Sequence, residues 1–218
     1  MLSVLVAGAA LIIAATLGAL ALNARGASNT SDADAATSSG GTAARRSAAP
    51  LALPLDAVDA GFDATVTAVD PAEGPEAMSY CNNVPQTDGL VDWAGDVMTE
   101  NDGRRRVVQV LSRFRSSVDA AAYVSSNATI VDCEEWETPG TDGTIVFTVA
   151  EASPSTIVGD ETRRFDLTAT TDGPDLFLRV LLARSGRDVV QVTYVSANRQ
   201  DLDDAERLVN VVGEKSGF

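Results

Sequence analysis

The stretch from Thr162 to Ser196 constrains the fold of this chain more than any other. Three runs of strand length, Thr162 to Thr170, Asp175 to Arg184 and Asp188 to Ser196, are rich in Val, Leu, Thr and Phe and are separated only by the short stretches 171–174 and 185–187, which hold Asp172-Gly173 and Gly186-Arg187. Strands that close cannot cross over and must pair antiparallel, and two-residue loops containing glycine are the usual hairpin connections. With a type I′ turn at Asp172-Gly173 and a type II′ turn at Gly186-Arg187, Asp166 lies opposite Arg179 and Arg179 opposite Tyr194. Leu182 then faces Gln191, and Val180 faces Thr193. Side chains alternate between the two sides of a strand, so Phe165, Leu167, Leu178, Val180, Leu182 and Val195 share one face, the expected main core. The other face carries Phe177, Leu181, Val190 and Val192 and inserts Asp166, Arg179 and Tyr194 among them. A slip of one residue would exchange the faces.

Further strand candidates precede this block. "VDWAGDVMTE" and "RRVVQVLSRF" are joined by Asn101-Asp102-Gly103, and Thr144 to Glu151 forms another run. "SSVDAAAYVSSNATIVDC" reads as a helix, with Ser116 and Asp119 spaced as a capping box and an apolar stripe through Val118, Ala122 and the Ala121/Tyr123 neighbourhood. "DLDDAERLVNVVGEK" reads as a second helix, acidic in its first turn and carrying Lys215 in its last, as the helix dipole favours. "LPLDAVDAG" has the look of a short helix with Pro54 in its first turn and Gly61 closing it. Short turns between strands, with helices between blocks of them, predict an α+β domain: an antiparallel sheet of about six strands with helices packed on it.

The remainder of the chain differs in kind. Residues 1–22, "MLSVLVAGAALIIAATLGALAL", are uncharged and apolar, and about 20 such residues cross a bilayer as a helix. A cleaved signal would carry a basic leader and a shorter apolar stretch; Ala19-Leu20-Ala21 could serve as its cleavage site, but an uncleaved anchor is the expectation. Arg25, after the run, favours a cytoplasmic position for the C-terminal side of the anchor, whereas a short basic leader would reverse it; the extracytoplasmic orientation is expected. Residues 23–50, built from Ala, Ser, Thr, Gly and Asp, hold too little apolar surface to offset ordering entropy and are expected to be a disordered linker. The globular domain is then 51–218.

Composition removes several functions. There is no histidine, so no Ser-His-Asp or Cys-His arrangement and no HExxH zinc helix can be built. All but one of the 16 basic side chains are arginine, and the lone Lys215 leaves Schiff-base chemistry little basis. A net charge of -15 repels phosphates and argues against nucleic acid. Neither a P-loop nor a dinucleotide glycine motif is present, and no cofactor or metal site is expected. Cys81 and Cys133 are the only cysteines, and an even pair in a translocated chain is read first as a disulfide, with free buried thiols as the alternative. The glutamates directly after Cys133 read as a solvated exit, and Trp136 as a cover.

"LALPLDAVDAGF", the cysteine of "AMSYCNN" and the alanine-rich helix ending in "IVDCEEW" together resemble the extracytoplasmic sensor domain of actinobacterial PknH-type receptor kinases, over nearly all of residues 51–218. The resemblance implies an antiparallel sheet flanked by helices, a cleft for an unidentified ligand, and the family's first disulfide at Cys81 and Cys133. This chain lacks the cysteines of the family's second disulfide, and a stand-alone anchored member without a kinase domain is expected.

The function expected from this reading is a membrane-anchored, ligand-binding or sensor-like domain in the cell envelope that performs no catalysis. Its partners would be a small ligand or an envelope component, and the membrane through the N-terminal helix. Alternatives are a carboxylate-dependent glycan hydrolase, which needs two acids flanking a cleft, and a structural envelope protein. Asp166, Arg179 and Tyr194 are the candidate ligand contacts, as an anion-facing floor between apolar walls. The competing reading makes them a satisfied cross-strand trio, with Arg179 stacked on Tyr194. Arg104, Arg105 and Arg106 read as a solvated strand edge, and Trp93 as a core residue.

Overall fold

The computed structural model describes residues 51, 53–70, 74–75, 81, 84–140, 143–154, 156–171 and 173–216. The expected anchor at 1–22 and linker at 23–50 lie outside the described residues. Among those described, no helix is long and apolar enough to cross a membrane.

Eight antiparallel strands form one sheet: β1 (Ala64–Ala68), β2 (Leu90–Glu100), β3 (Arg105–Phe114), β4 (Glu135–Gly140), β5 (Gly143–Ala152), β6 (Glu161–Thr170), β7 (Leu176–Ser185) and β8 (Asp188–Ser196). Their spatial order is β1-β2-β3-β8-β7-β6-β5-β4, so two meanders meet where β3 pairs with β8. Helix α1 (Ser117–Ala128) leads from the first meander to the second, and α2 (Leu202–Ser216) comes after the last strand.

The expected α+β class is observed, but the sheet has eight strands where about six were expected. The additional ones carry weak patterns. In β1, Thr65, Val66, Thr67 and Ala68 are all exposed, so no burial imposes an apolar alternation. β4 runs through the glutamates that read as a solvated exit. There Glu135 and Glu137 face water while Thr138 is buried and Trp136 stacks on Phe147, with ring centroids 4.9 Å apart.

"LPLDAVDAG" is a pair of turns rather than a helix. The Asp56 carboxylate accepts from the Val58 and Asp59 amides at 2.9 and 3.2 Å, an arrangement that competes with helical bonding. In α1, Ser116 caps the first turn, accepting from the Asp119 amide at 3.2 Å, as its spacing predicts. The buried stripe, however, is Ala120, Tyr123, Val124 and Asn127; Val118, placed on the stripe by sequence, is 75% exposed.

Two apolar cores of similar extent lie on opposite faces of the sheet. On the α1 face, Tyr123, Val124 and Ile130 pack onto Phe147, Phe165, Leu167, Leu178, Val180, Leu182 and Val195. A smaller cluster on that face joins Val69, Val97, Val108 and Val110, with Trp93 packed against it. Gly74 sits so close on the Trp93 indole that a Cβ there would overlap the ring. The Cys81–Cys133 disulfide, Cα atoms 6.2 Å apart, ties the segment before β2 to the end of the short turn that follows α1. Closing a loop across 52 positions stabilises the fold by about 4 kcal/mol if chain entropy dominates.

On the α2 face, Leu202, Ala205, Leu208, Val209 and Val212 pack onto Leu181, Val190, Val192, Tyr194, Met98, Val107 and Leu111. The segment ahead of β1, with its two turns, lies on this face as a strap. The buried Gln109 amide donates to the Leu55 carbonyl at 2.7 Å and accepts from the Leu55 N–H at 3.1 Å, bonding that backbone as a neighbouring strand would. Arg207 donates to the Asp59 carbonyl at 2.8 Å, and Lys215 to the Asp59 carboxylate at 2.6 Å.

Candidate functional site

Period-two alternation places Asp166, Arg179 and Tyr194 on the α2 face, in three adjacent strands. The register is the one expected: Asp166 pairs with Arg179, and Arg179 with Tyr194. At the β7–β8 turn, Gly186 adopts a left-handed φ of 55°, which a glycine accepts without strain. The β6–β7 turn, expected as type I′, includes Asp172, which lies outside the described residues. Its register holds because the strands end farther apart, at Thr170 and Leu176, and the Thr171 hydroxyl accepts from the Gly173 amide at 3.0 Å.

Arg179 is 5% exposed and its donors are engaged. Nε and Nη2 donate to the two oxygens of Asp166 at 2.8 and 2.9 Å, a bidentate fork. Nη1 donates to the Leu202 carbonyl at 2.7 Å, in the first turn of α2, and lies 3.9 Å from Glu206. Two residues missed by sequence complete the cluster. Arg164 donates to Asp166 at 3.0 Å and bonds to Glu206 of α2. Burial pushes the Asp166 carboxyl up, but the bonds from Arg179 and Arg164 outweigh it and hold the group below its ordinary value of 3.8. Two guanidinium groups thus meet two carboxylates, and the assembly clasps the first turns of α2 to the sheet. A carboxyl stabilised in its ionised form is a poor general acid at neutral pH.

Tyr194 is fully buried beside this cluster. Burial foremost, with the Asp204 charge next, pushes its phenol up to about 12. The expected stacking of Arg179 on Tyr194 is not what the geometry shows, because the Arg179 guanidinium turns to Asp166 and the Leu202 carbonyl. Among the described residues, the arginines that lie over rings are Arg105 over Phe62, 4.9 Å from its centroid, and Arg199 over Phe177 at 6.0 Å.

The arginine run is corrected as well. β3 lies inside the sheet, so Arg104, Arg105 and Arg106 guard no edge. Arg104 is exposed and bonds to Asp102, whereas Arg105 is half-buried and bonds to Glu100. Arg164 was within reach of sequence reasoning, since it stands two positions from Asp166 and therefore on the same face. Glu206 was not, because which side of α2 meets β6 depends on how the helix docks. Among the described residues, no group of three His, Cys, Asp or Glu side chains gathers where a metal ion could sit.

The fold has solved relatives. This chain is similar to the extracellular domain of PknH from Mycobacterium tuberculosis, with a TM-score of 0.51 and 16% identity over 70% of this chain and 78% of the other. An uncharacterized protein of Mycobacterium smegmatis, an Rv0999 ortholog, aligns at a TM-score of 0.38 and 14% identity over 59% of this chain and 65% of the other. No family model matches the chain, and no curated protein matches it. The likeness to the PknH extracellular domain, at this identity, is one of fold, and it is the fold the sequence resembles.

Proposed function

We propose that this protein is a membrane-anchored, extracytoplasmic sensor-like domain of the cell envelope, which binds a small ligand or an envelope component and catalyses no reaction. The fold shared with the extracellular domain of PknH carries this reading. The Cys81–Cys133 bond supports it, since disulfides persist in oxidising compartments. Residues 1–22 are the anchor in this reading, 23–50 the tether and 51–218 the sensor domain.

The candidate contacts Asp166, Arg179 and Tyr194 take a specific place in the proposal. Their engaged geometry supports the structural role, a clasp for α2. An anionic ligand at Arg179 has to displace Asp166 or the Leu202 carbonyl, and displacing the carbonyl couples binding to release of the first turn of α2.

Native mass spectrometry of the full chain extracted from envelopes tests this reading. The expected result is membrane association, a mass two protons lighter before reduction than after it, and a retained small molecule. Cytosolic protein with free thiols would overturn it. Retention that is equal in the wild type and in Arg179→Lys would remove the cluster from the ligand site and leave it as the clasp alone.

A further inference from the structure

The two edges of the sheet are built differently. β4 carries Pro139 and the exposed Glu135 and Glu137, devices that discourage strand addition. β1 has none of them. Its sequence, Ala64-Thr65-Val66-Thr67-Ala68, contains neither charge nor proline, four of its five residues are exposed, and Val66 is 45% exposed. Among the described residues it has a neighbour on one side only, β2.

Hydrogen-bond direction shows which groups β1 leaves open. The Val69 amide donates to the Gly95 carbonyl at 2.8 Å, and the Asp63 carbonyl accepts from the Asn101 amide at 3.2 Å. In an antiparallel pair, residues that exchange bonds with the neighbour alternate with residues whose N–H and C=O point away. The odd-numbered positions therefore face β2, and Ala64, Val66 and Ala68 turn their backbone groups outward.

The strand reads the same in both directions about Val66. We propose that β1 is an interaction surface for a second copy of this chain, pairing antiparallel with its counterpart about a two-fold axis at Val66. Ala64 then lies opposite Ala68 of the second copy, Thr65 opposite Thr67, and Val66 opposite Val66. Each outward residue gives and accepts one backbone bond, so the open ladder is filled. Thr65 and Thr67 form the closer, non-bonded pairs, an arrangement favourable for threonines. No charged residue of one strand is set directly opposite a like charge. A two-fold contact closes on itself, and β4 offers no edge of the same kind, so the product is a dimer rather than a filament.

Five residues per copy are few against the roughly 20–30 a side of a standard interface, so the association is weak and governed by local concentration. A net charge of -15 on each copy opposes it, and added salt screens that repulsion.

Cysteine cross-linking of the full chain reads the register directly. Thr65→Cys and Thr67→Cys are prepared separately, then oxidised alone and mixed. Non-bonded pairs stand about 4.5 Å apart at Cα, within disulfide reach, whereas identical positions in this register are diagonal neighbours, about 7–8 Å apart. The mixture should give at least ten times the intermolecular disulfide of either variant alone, and more at high salt than at low salt. Adding Val66→Pro should return the yield to the single-variant level, because that N–H faces outward and the bonds to β2 survive. Val66→Glu, which leaves the backbone untouched and opposes two carboxylates at the axis, should do the same. Equal yields in the mixture and the single variants, or a yield that neither Val66 substitution lowers, would overturn the proposal.

Discussion

The two helices are attached to opposite faces of one sheet by different chemistry. α1 lies on an apolar surface, Tyr123 and Val124 against Phe114 and the cluster around Phe165, and a disulfide pins the segment just beyond it. α2 buries an equally apolar stripe but sets its first turns on ions, with Arg164, Arg179, Asp166 and Glu206 interleaved. Apolar contact is non-directional and tolerates small shifts. A bidentate fork fixes position, and it becomes a liability once either partner is lost. The α1 face should therefore respond to loss of volume or of the cross-link, and the α2 face to loss of charge balance.

The largest effect should come from breaking the ions. Asp166→Ala removes the bidentate partner of buried Arg179, leaving it only the more distant Glu206 at 3.9 Å, and should lower unfolding stability by about 3–5 kcal/mol in urea titration. Replacing both partners with apolar residues, Asp166→Leu with Arg179→Met, should restore most of that loss. If it does not, the fork positions α2 in a way that charge balance alone does not explain.

Removing the cross-link should come next. Cys81→Ser with Cys133→Ser should cost about 2–4 kcal/mol. Amide exchange should then quicken in residues 84–90 and in α1 while α2 keeps its protection; equal loosening of both helices would erase the distinction between the faces.

The pH dependence should single out the α2 face at both extremes. The Asp166 carboxyl titrates below its ordinary 3.8 in the folded chain, so its contribution is complete above that value and is lost as pH falls through the folded one. The Tyr194 phenol is raised from 10.0 to about 12, so its contribution is complete below 10 and fades as pH rises towards 12. Asp166→Asn should flatten the acid limb of a stability–pH curve, and Tyr194→Phe the alkaline limb. Curves that match the wild type would detach these groups from the stability of the face.

The smallest effect belongs to Val118. It points to solvent, so Val118→Ser should change stability by less than about 0.5 kcal/mol. A loss above about 1 kcal/mol would return this residue to the buried stripe of α1.

That residue also shows where sequence legibility ends. The long strands β2, β3 and β5–β8 and both α-helices are readable because each buries a face, and burial writes a period of two or of about four into the residues. β1 buries almost nothing and β4 alternates acids with Trp136 and Thr138, so neither writes a clear pattern. The register joining Asp166, Arg179 and Tyr194 is set by loop lengths, and it is the one the sequence predicts. Helix docking obeys no local rule, which is why Glu206 and the Gln109 grip on Leu55 were invisible while Arg164 was not.

The β3–β8 seam bears on the route by which the chain folds. Its residues are far apart in sequence, as with Arg105 opposite Ser196, so the seam closes only after a large loss of chain freedom. The β2–β3 hairpin and the run from β4 to β8 can assemble from pairings of neighbouring strands beforehand, which makes the joining of the halves the slow step. Until it happens, β3 and β8 both expose valine-rich edges, and a nascent chain is most prone to mispair there with its neighbours.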